Sequence, residues 1–216
     1  YTQILKEEVK DAFTREKIGI INTSGEHLLH IINEILDMSK IEAGQMSVDY
    51  SDISTEELVE NVIYMLRVNA EEKGLNVHLN ISPNCPDFFR SDLAKLRQAL
   101  INILGNAIKF TFTGEITVNV WEKKSCINFE IVDSGKGMSE KVVEEIFEPF
   151  RQGDNEPGEG GTGLGLAITK KFADILSGSI SVKSEVGKGS IFVFSIPYIK
   201  AENFVRTEQI LESISM

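Results

Sequence analysis

The chain has 216 residues, 42% of them hydrophobic and 25% charged, enough for one packed domain with an appendage or for two small domains. Thirty-three acidic residues stand against 22 basic ones, and the net charge of −11 argues against a nucleic-acid binder, which needs a basic face. No apolar run approaches the roughly 20 residues that span a bilayer and no signal peptide opens the chain, so any membrane segment of a longer parent is expected outside this stretch.

Residues 1–10 carry a helical pattern with no N-cap before it, and the chain reads as cut from something longer. Asp11 to Thr14 is predicted to be a short turn, and residues 15–43 a long helix stopped by Gly44. Ile21, Leu28 and Ile35 repeat at seven residues, as do Ile18, Gly25 and Ile32. Such a repeat suits a coiled coil or a dimeric four-helix bundle, or else packing on the chain's own globular part. His27 and His30 lie three apart on this helix without acidic companions, and they read as ordinary helix residues; His78 falls in a strand pattern. Cys85 and Cys126 lack metal-ligand spacing and fit a reducing compartment, with a disulfide between them left open.

After Gly44 the texture changes. Residues 45–52 read as a strand or hairpin arm. Ser54-Thr55-Glu56-Glu57 has capping-box spacing and opens a helix with Leu58, Val62, Met65 and Leu66 inward and Gly74 at its end. Residues 75–82 alternate like a strand, 83–86 form a turn, 88–91 a short strand, and Asp92 starts the helix around which the rest is organised. Leu96, Leu100, Ile103 and Ala107 share one face of that helix; Ile101, Leu104 and Ile108 extend the apolar coat, which predicts burial on most sides. Asn102, Asn106 and Lys109 form a polar stripe along one edge, flanked by Gly105. Two amides and an amine need partners there. The stripe faces a polyanion with its metal ion, or it bonds to neighbouring backbone or water.

Strands are predicted over 115–122 and 126–133, around Lys123-Lys124-Ser125. A short helix follows over 139–147, a polar loop with glycines over 150–161, a helix over 164–176 stopped by Gly178, and a hairpin of 179–186 with 190–197 across Gly187-Lys188-Gly189. The fold class is α+β: a two-layer α/β sandwich, a mixed sheet with helices on one face, preceded by an α-helical hairpin. The expected organisation is 1–44 for the helical hairpin, 45–200 for the sandwich and 201–216 for a tail without an assigned role.

Three glycine clusters could carry chemistry. Asp133-Ser134-Gly135-Lys136-Gly137 closes an apolar strand, where a carboxylate can accept from an exocyclic amine and glycines allow a flat ligand close. Gly160-Gly161-Thr162-Gly163-Leu164-Gly165 opens a helix, whose first N–H groups suit phosphate. Gly187-Lys188-Gly189-Ser190 reads foremost as a hairpin turn. A Rossmann motif is disfavoured for want of a βαβ setting, and a P-loop because no Gly-Lys-Ser/Thr closes the run.

Taken in order, these pieces resemble the sensor histidine kinases. NILGNAIKFT at 102–111 is similar to their N box, DSGKG at 133–137 to the G1 box, IFEPF at 146–150 to the F box, GGTGLGLAI at 160–168 to the G2 box and GKGSIFVFSIP at 187–197 to the terminal G3 hairpin. SGEHLLHIINEILDMSKIEAG at 24–44 resembles the second helix of the family's dimerisation domain. The resemblance covers nearly all of residues 1–199. It implies the Bergerat-type ATP-binding fold shared with gyrase-type topoisomerases, heat-shock chaperones and mismatch-repair ATPases.

By position, the resemblance implies that Asn106, helped by Asn102, holds Mg²⁺, that Lys109 contacts phosphate and that Phe110 lies near the adenine in a place often held by tyrosine. Asp133 would read the adenine amine, with Gly135 and Gly137 shaping that wall. Phe147 and Phe150 would anchor the base of a lid running from Arg151 to Gly160. Gly161, Thr162, Gly163, Leu164 and Gly165 would cap the phosphates, with Arg151 and Ser190 also among the nucleotide contacts. The implied partners are ATP, a response-regulator receiver domain whose aspartate takes the phosphoryl group, and a second copy of the chain, in the cytoplasm. One departure stands out: the His-Glu-x-Arg-Thr-Pro-like acceptor box is absent, and His27 and His30 match helix-two positions instead. The acceptor is therefore expected upstream of Tyr1 or missing from the parent, and this chain is expected to bind ATP without phosphorylating itself at the usual site. The sequence leaves two rivals. An ATP-hydrolysing clamp would want a glutamate general base where the amide of Asn102 stands; a degenerate scaffold would not need intact boxes.

Overall fold

The computed structural model describes residues 11–151 and 162–201. The expected helix over 1–10, the C-terminal tail and nearly all of the predicted lid lie outside the described residues. The chain divides into two units, residues 1–46 and 47–216.

In the first unit, helix α1 spans Ala12–Glu42. Its start corrects the predicted turn. Asp11 is the N-cap: its carboxylate accepts from the Thr14 N–H at 2.9 Å and the Thr14 hydroxyl at 2.7 Å, which satisfies donors that the helix leaves orphaned. At the other end Gly44 turns left-handed at φ 64°, and the Gln45 N–H reaches back to the Lys40 carbonyl. Ile21, Leu28 and Ile35, the seven-residue repeat, are all exposed along the described helix.

The second unit is a two-layer α+β sandwich. Its elements in order are β1 (Ser51–Ser54), α2 (Thr55–Glu72), β2 (Asn76–Ile81), β3 (Phe88–Ser91), α3 (Leu93–Phe110), β4 (Glu115–Lys123), β5 (Cys126–Asp133), α4 (Glu140–Glu145), α5 (Gly165–Ile175), β6 (Ser179–Glu185), β7 (Gly189–Pro197) and β8 (Ile199–Lys200). The main sheet has the order β2-β4-β5-β7-β6. Only β2 and β4 run parallel, and a parallel pair needs a long crossover, here supplied by β3 and α3. The other pairs are antiparallel; β4 and β5 meet at Lys124 and Ser125, both at positive φ, as a two-residue hairpin turn requires.

A second, three-stranded sheet, β1-β3-β8, was not part of the sequence-based expectation. The strand predicted over 45–52 is confined to Ser51–Ser54, with 45–50 irregular.

The core explains the alternation. Ile116, Val118 and Val120 of β4, Ile127, Phe129 and Ile131 of β5, and Phe192, Phe194 and Ile196 of β7 are buried. So are Leu96, Leu100, Ile103, Leu104, Ala107 and Ile108 of α3, and Ile168 and Phe172 of α5. On the other face of the sheet the neighbours are polar: Asn80 donates to Asn119, and Asn119 to Glu130. Helix α2 is capped by the Ser54 hydroxyl, which accepts from the Glu57 N–H. It buries Leu58, Val59, Val62 and Ala70, whereas Met65, expected inside, is exposed. The helix is slightly rotated from the simple pattern because Val59 and Ala70 take the inner positions.

Two anchors fix the ends of α3. At its start Asp92 is buried and accepts from the Lys95 N–H at 3.0 Å and the Asp49 N–H at 2.9 Å, with the Lys95 ammonium paired to it. Burial alone would push this carboxyl up, but those bonds outweigh it and hold it below the usual carboxylate range. At the other end the Lys73 ammonium donates to the Ile108 carbonyl at 2.8 Å and the Lys109 carbonyl at 2.6 Å, satisfying acceptors that the helix cannot. Both cysteines are free thiols, and burial pushes the Cys85 thiol up, away from the reactive thiolate.

Truncating Phe129, which is fully buried, to alanine is expected to cost about 3–5 kcal/mol, while Met65→Ala stays within about 0.5 kcal/mol; urea unfolding of both variants checks the placement of the core.

Candidate functional site

Because α3 is apolar on most sides, its polar edge is conspicuous. The Asn102 amide donates from Nδ2 to the Gly165 carbonyl at 2.9 Å and to the Thr169 hydroxyl at 3.2 Å, and its Oδ1 accepts from Gln98 at 3.0 Å. For Asn102, then, the edge is bonded to neighbouring protein, one of the two alternatives left open by the sequence. Four residues on, the side-chain amide of the half-buried Asn106 has no hydrogen-bond partner among the described residues. Lys109 follows, its ammonium 5.3 Å from the centre of the Phe110 ring; the Lys136 ammonium lies 5.0 Å from the same ring. Two cations near one aromatic ring concentrate positive charge where α3 ends.

The strand end of β5 comes next. Asp133 is buried, and its Oδ1 accepts from the Gly135 N–H at 2.8 Å. Burial pushes its carboxyl above the usual range, while the Gly135 N–H and Ser190 pull it back down without cancelling the effect. Ser190 stands opposite Asp133 in the β5–β7 register and is itself 2.9 Å from the Ser184 hydroxyl.

The glycines around Asp133 are explained by protein packing. A Cβ on Gly137 would stand 2.0 Å from the Glu185 carbonyl oxygen, and one on Gly189 1.9 Å from that of Asp133. The first turn and the β6–β7 turn interlock backbone against backbone, and the Gly187 N–H donates to the Lys136 carbonyl at 2.8 Å. Gly187-Lys188-Gly189 is thus a hairpin turn that also braces the Asp133 turn. On its other side that turn is tied to α3, since the Lys136 N–H donates to the Phe110 carbonyl at 3.2 Å.

Helix α5 begins at Gly165 with no side-chain cap, so its first N–H groups meet no side-chain acceptor of the kind that closes α2 and α3. The Leu164 N–H donates to the Thr162 hydroxyl at 3.1 Å. Gly163 is left-handed at φ 73°, and its carbonyl accepts from the Phe150 N–H at 3.0 Å, joining the two sides of the loop that lies outside the described residues. That joint is made by backbone. The Phe150 ring, expected as an apolar anchor, is 68% exposed. Phe147 is half-buried with the Lys170 ammonium 5.8 Å from its ring, and Arg151 pairs with Glu145 at 3.4 Å. Gly161 lies outside the described residues.

Of the sequence-predicted residues, Asn102, Gly165, Phe110, Asp133 and Ser190 are joined by a run of bonds: α3 to α5 through Asn102, α3 to the Asp133 turn through Phe110, and that turn to the β6–β7 hairpin through Lys136 and Ser190; the Phe150 ring and Arg151 stand outside that run. Gln98, Thr169, Ser184 and Lys73 were missed. Gln98 was within reach, being four residues from Asn102 on one helix face; Ser184 meets Ser190 across the β6–β7 hairpin, and Thr169 and Lys73 act across long sequence separations.

Comparison with known proteins agrees with this fold. The family model described as histidine kinase-, DNA gyrase B- and HSP90-like ATPase matches residues 91–200, and that of the His kinase A (phospho-acceptor) domain matches residues 1–44. The chain belongs to this ATPase family, on its sensor histidine kinase branch. It is 39% identical over 201 residues to the hybrid signal transduction histidine kinase B of Dictyostelium discoideum, covering 90% of this chain and 10% of that protein. It is 38% identical over 210 residues to the autoinducer 2 sensor kinase/phosphatase LuxQ of Vibrio vulnificus, covering 93% of this chain and 24% of that one. The crystal structure of full-length ShkA in complex with AMPPNP is similar with a TM-score of 0.80 at 30% identity, over 94% of this chain and 42% of that chain. The chain therefore spans a quarter or less of the length of these two curated relatives.

A buried carboxyl whose neutral form is favoured opposes folding once it ionises, so stability falls as pH rises from the unfolded value of 3.8 towards the raised folded one. Asp133→Asn is accordingly expected to raise the melting temperature at pH 7 and to raise it less at pH 4; thermal unfolding at the two pH values measures the difference.

Proposed function

We propose that residues 47–200 bind Mg-ATP, and that the protein transfers its γ-phosphate to a histidine from which a response-regulator aspartate takes it. The observation that carries this reading is the juxtaposition just described. A side-chain amide with no hydrogen-bond partner among the described residues, Asn106, and a buried carboxylate, Asp133, stand on elements tied to each other by hydrogen bonds, beside a helix start with no side-chain cap among the described residues.

The residues suit a magnesium ion. Amide oxygens are hard donors, and magnesium takes few protein ligands beside the phosphates. No cluster of three His, Cys, Asp or Glu among the described residues offers a competing metal site. Asn106 and Asn102 would hold the ion, which when bound neutralises charge developing on the phosphoryl oxygens. Lys109 adds a positive charge at the end of the same edge. The first N–H groups of α5, from Gly165 onward, orient the phosphates, with Thr162, Gly163 and Leu164 shaping the approach. Asp133 accepts from the adenine amine, and Phe110 presents its ring near the base. Asn102 is an amide and takes no proton from water, so that position favours transfer to an acceptor over hydrolysis.

Residues 1–44 serve as the dimerisation unit, with the exposed Ile21, Leu28 and Ile35 seam of α1 meeting a second copy. The acceptor is a histidine other than His27, His30 and His78. Two free thiols suit the cytoplasm, and no helix among the described residues is long and apolar enough to cross a membrane.

Calorimetric titration of the chain with AMPPNP is expected to show saturable binding that depends on Mg²⁺ and that weakens about tenfold or more in Asn106→Ala, in line with loss of a metal ligand. Absence of binding in the unaltered chain, or an Asn106→Ala variant that binds as well, would overturn the reading.

A further inference from the structure

Thr169 is the one polar side chain among the buried residues of α5, with Leu166, Ala167, Ile168, Phe172 and Ala173, and is 0% exposed. A buried hydroxyl is costly unless it is bonded, and this one is bonded on both sides. It donates to the Gly165 carbonyl at 2.8 Å, and it stands 3.2 Å from Asn102 Nδ2. Its single proton is committed to the carbonyl, so towards Asn102 it can only accept. The same carbonyl of Gly165 accepts the other amide proton of Asn102 at 2.9 Å.

These bonds decide which way round the Asn102 amide sits. Its NH₂ end has two acceptors, both on α5. Its oxygen end is left pointing away from α5, with one lone pair taken by Gln98 at 3.0 Å and one in reserve. Turning the amide over would set its oxygen against the Gly165 carbonyl, acceptor against acceptor. Removing the Thr169 hydroxyl takes away one of the two acceptors that hold the present orientation.

We propose that Thr169 is a positioning residue that holds the Asn102 amide with Oδ1 outward, offered to the cation of a bound metal-nucleotide, and so links the metal side of the site to the glycine start of α5. The inference rests on the reading of the α3 edge as a metal-nucleotide site. Groups that orient a metal ligand from behind are worth about 10- to 100-fold in metal affinity. An amide that spends part of its time reversed loses apparent affinity in proportion to the time it is competent.

The test uses the full chain as wild type, Thr169→Val and Thr169→Ser, titrated with Mg²⁺ at fixed AMPPNP and with AMPPNP in EDTA, with thermal unfolding to verify folding. Thr169→Val keeps the shape and loses the acceptor; it is expected to need about 10- to 100-fold more Mg²⁺ for half-saturation, with its metal-free binding nearly unchanged. Thr169→Ser restores the hydroxyl and is expected to return the Mg²⁺ midpoint close to that of wild type. If Thr169→Val does not fold, Thr169→Ala is read in its place against the same serine rescue. A variant lacking the hydroxyl with a wild-type Mg²⁺ midpoint overturns the proposal, and so does an equal loss with and without Mg²⁺, which would mark a purely structural role. Failure of the underlying reading looks different: wild-type binding would then be indifferent to Mg²⁺ and to Asn106→Ala.

Discussion

The second unit depends on how α3 is covered. Its apolar sides are buried against β5 and against α2 and α5, which leaves one polar edge whose amides must be satisfied another way. Asn102 resolves this with protein partners; the Asn106 amide finds none among the described residues. The helix is also held at both ends by charge, Asp92 at its start and the Lys73 ammonium on its last carbonyls, so the edge has a fixed height and direction. Where Lys73 stops the helix, Thr111 turns extended, and the Phe110 carbonyl becomes available to the Lys136 N–H. The end of α3 thereby positions the turn that carries Asp133.

From that turn the order propagates by backbone contact. Gly137 and Gly189 allow two turns to approach so closely that any side chain would collide with a carbonyl. Ser190 and Gly135 then supply the hydrogen bonds that make a buried carboxylate tolerable, though not fully so, since Asp133 remains shifted upward. Hydrogen bonds among the described residues hold the α3 edge and the Asp133 turn to each other, and charges and dipoles fixed in this way need little reorganisation to act on phosphates. The strain of a half-compensated carboxylate is the stability given up for that arrangement.

Much of this was legible in the sequence, for local reasons. The capping box at Ser54, Asp92 before α3, the apolar period of α3 and the glycine turns each act within a few residues, so their signals survive without the fold. The stripe of Asn102, Asn106 and Lys109 was visible as an exception to that period. Asp11 misled because aspartate serves turns and N-caps with the same carboxylate, and only the continuation of the helix tells them apart. Met65 misled because neighbouring positions on a helix compete for one face. The parallel pairing of β2 with β4, the small β1-β3-β8 sheet, the Lys73 clamp and the Thr169 contact depend on partners far away in the chain, and no local pattern announces them. The glycines of the Asp133 turn were seen, but their packing against the β6–β7 hairpin was not, because a backbone contact has no side-chain signature.

The most direct measurement of the central claim, that the α3 edge and the Asp133 turn face one metal-nucleotide, is an amide NMR titration of the ¹⁵N-labelled chain with Mg-AMPPNP. The account predicts saturable shifts of the Asn106 side-chain amide and of the Gly135, Gly163 and Gly165 backbone N–H groups, all with one apparent affinity. Shifts confined instead to the outer face of the sheet, around Asn80, Asn119 and Glu130, or shifts at α3 and at the Asp133 turn with unrelated affinities, would contradict it.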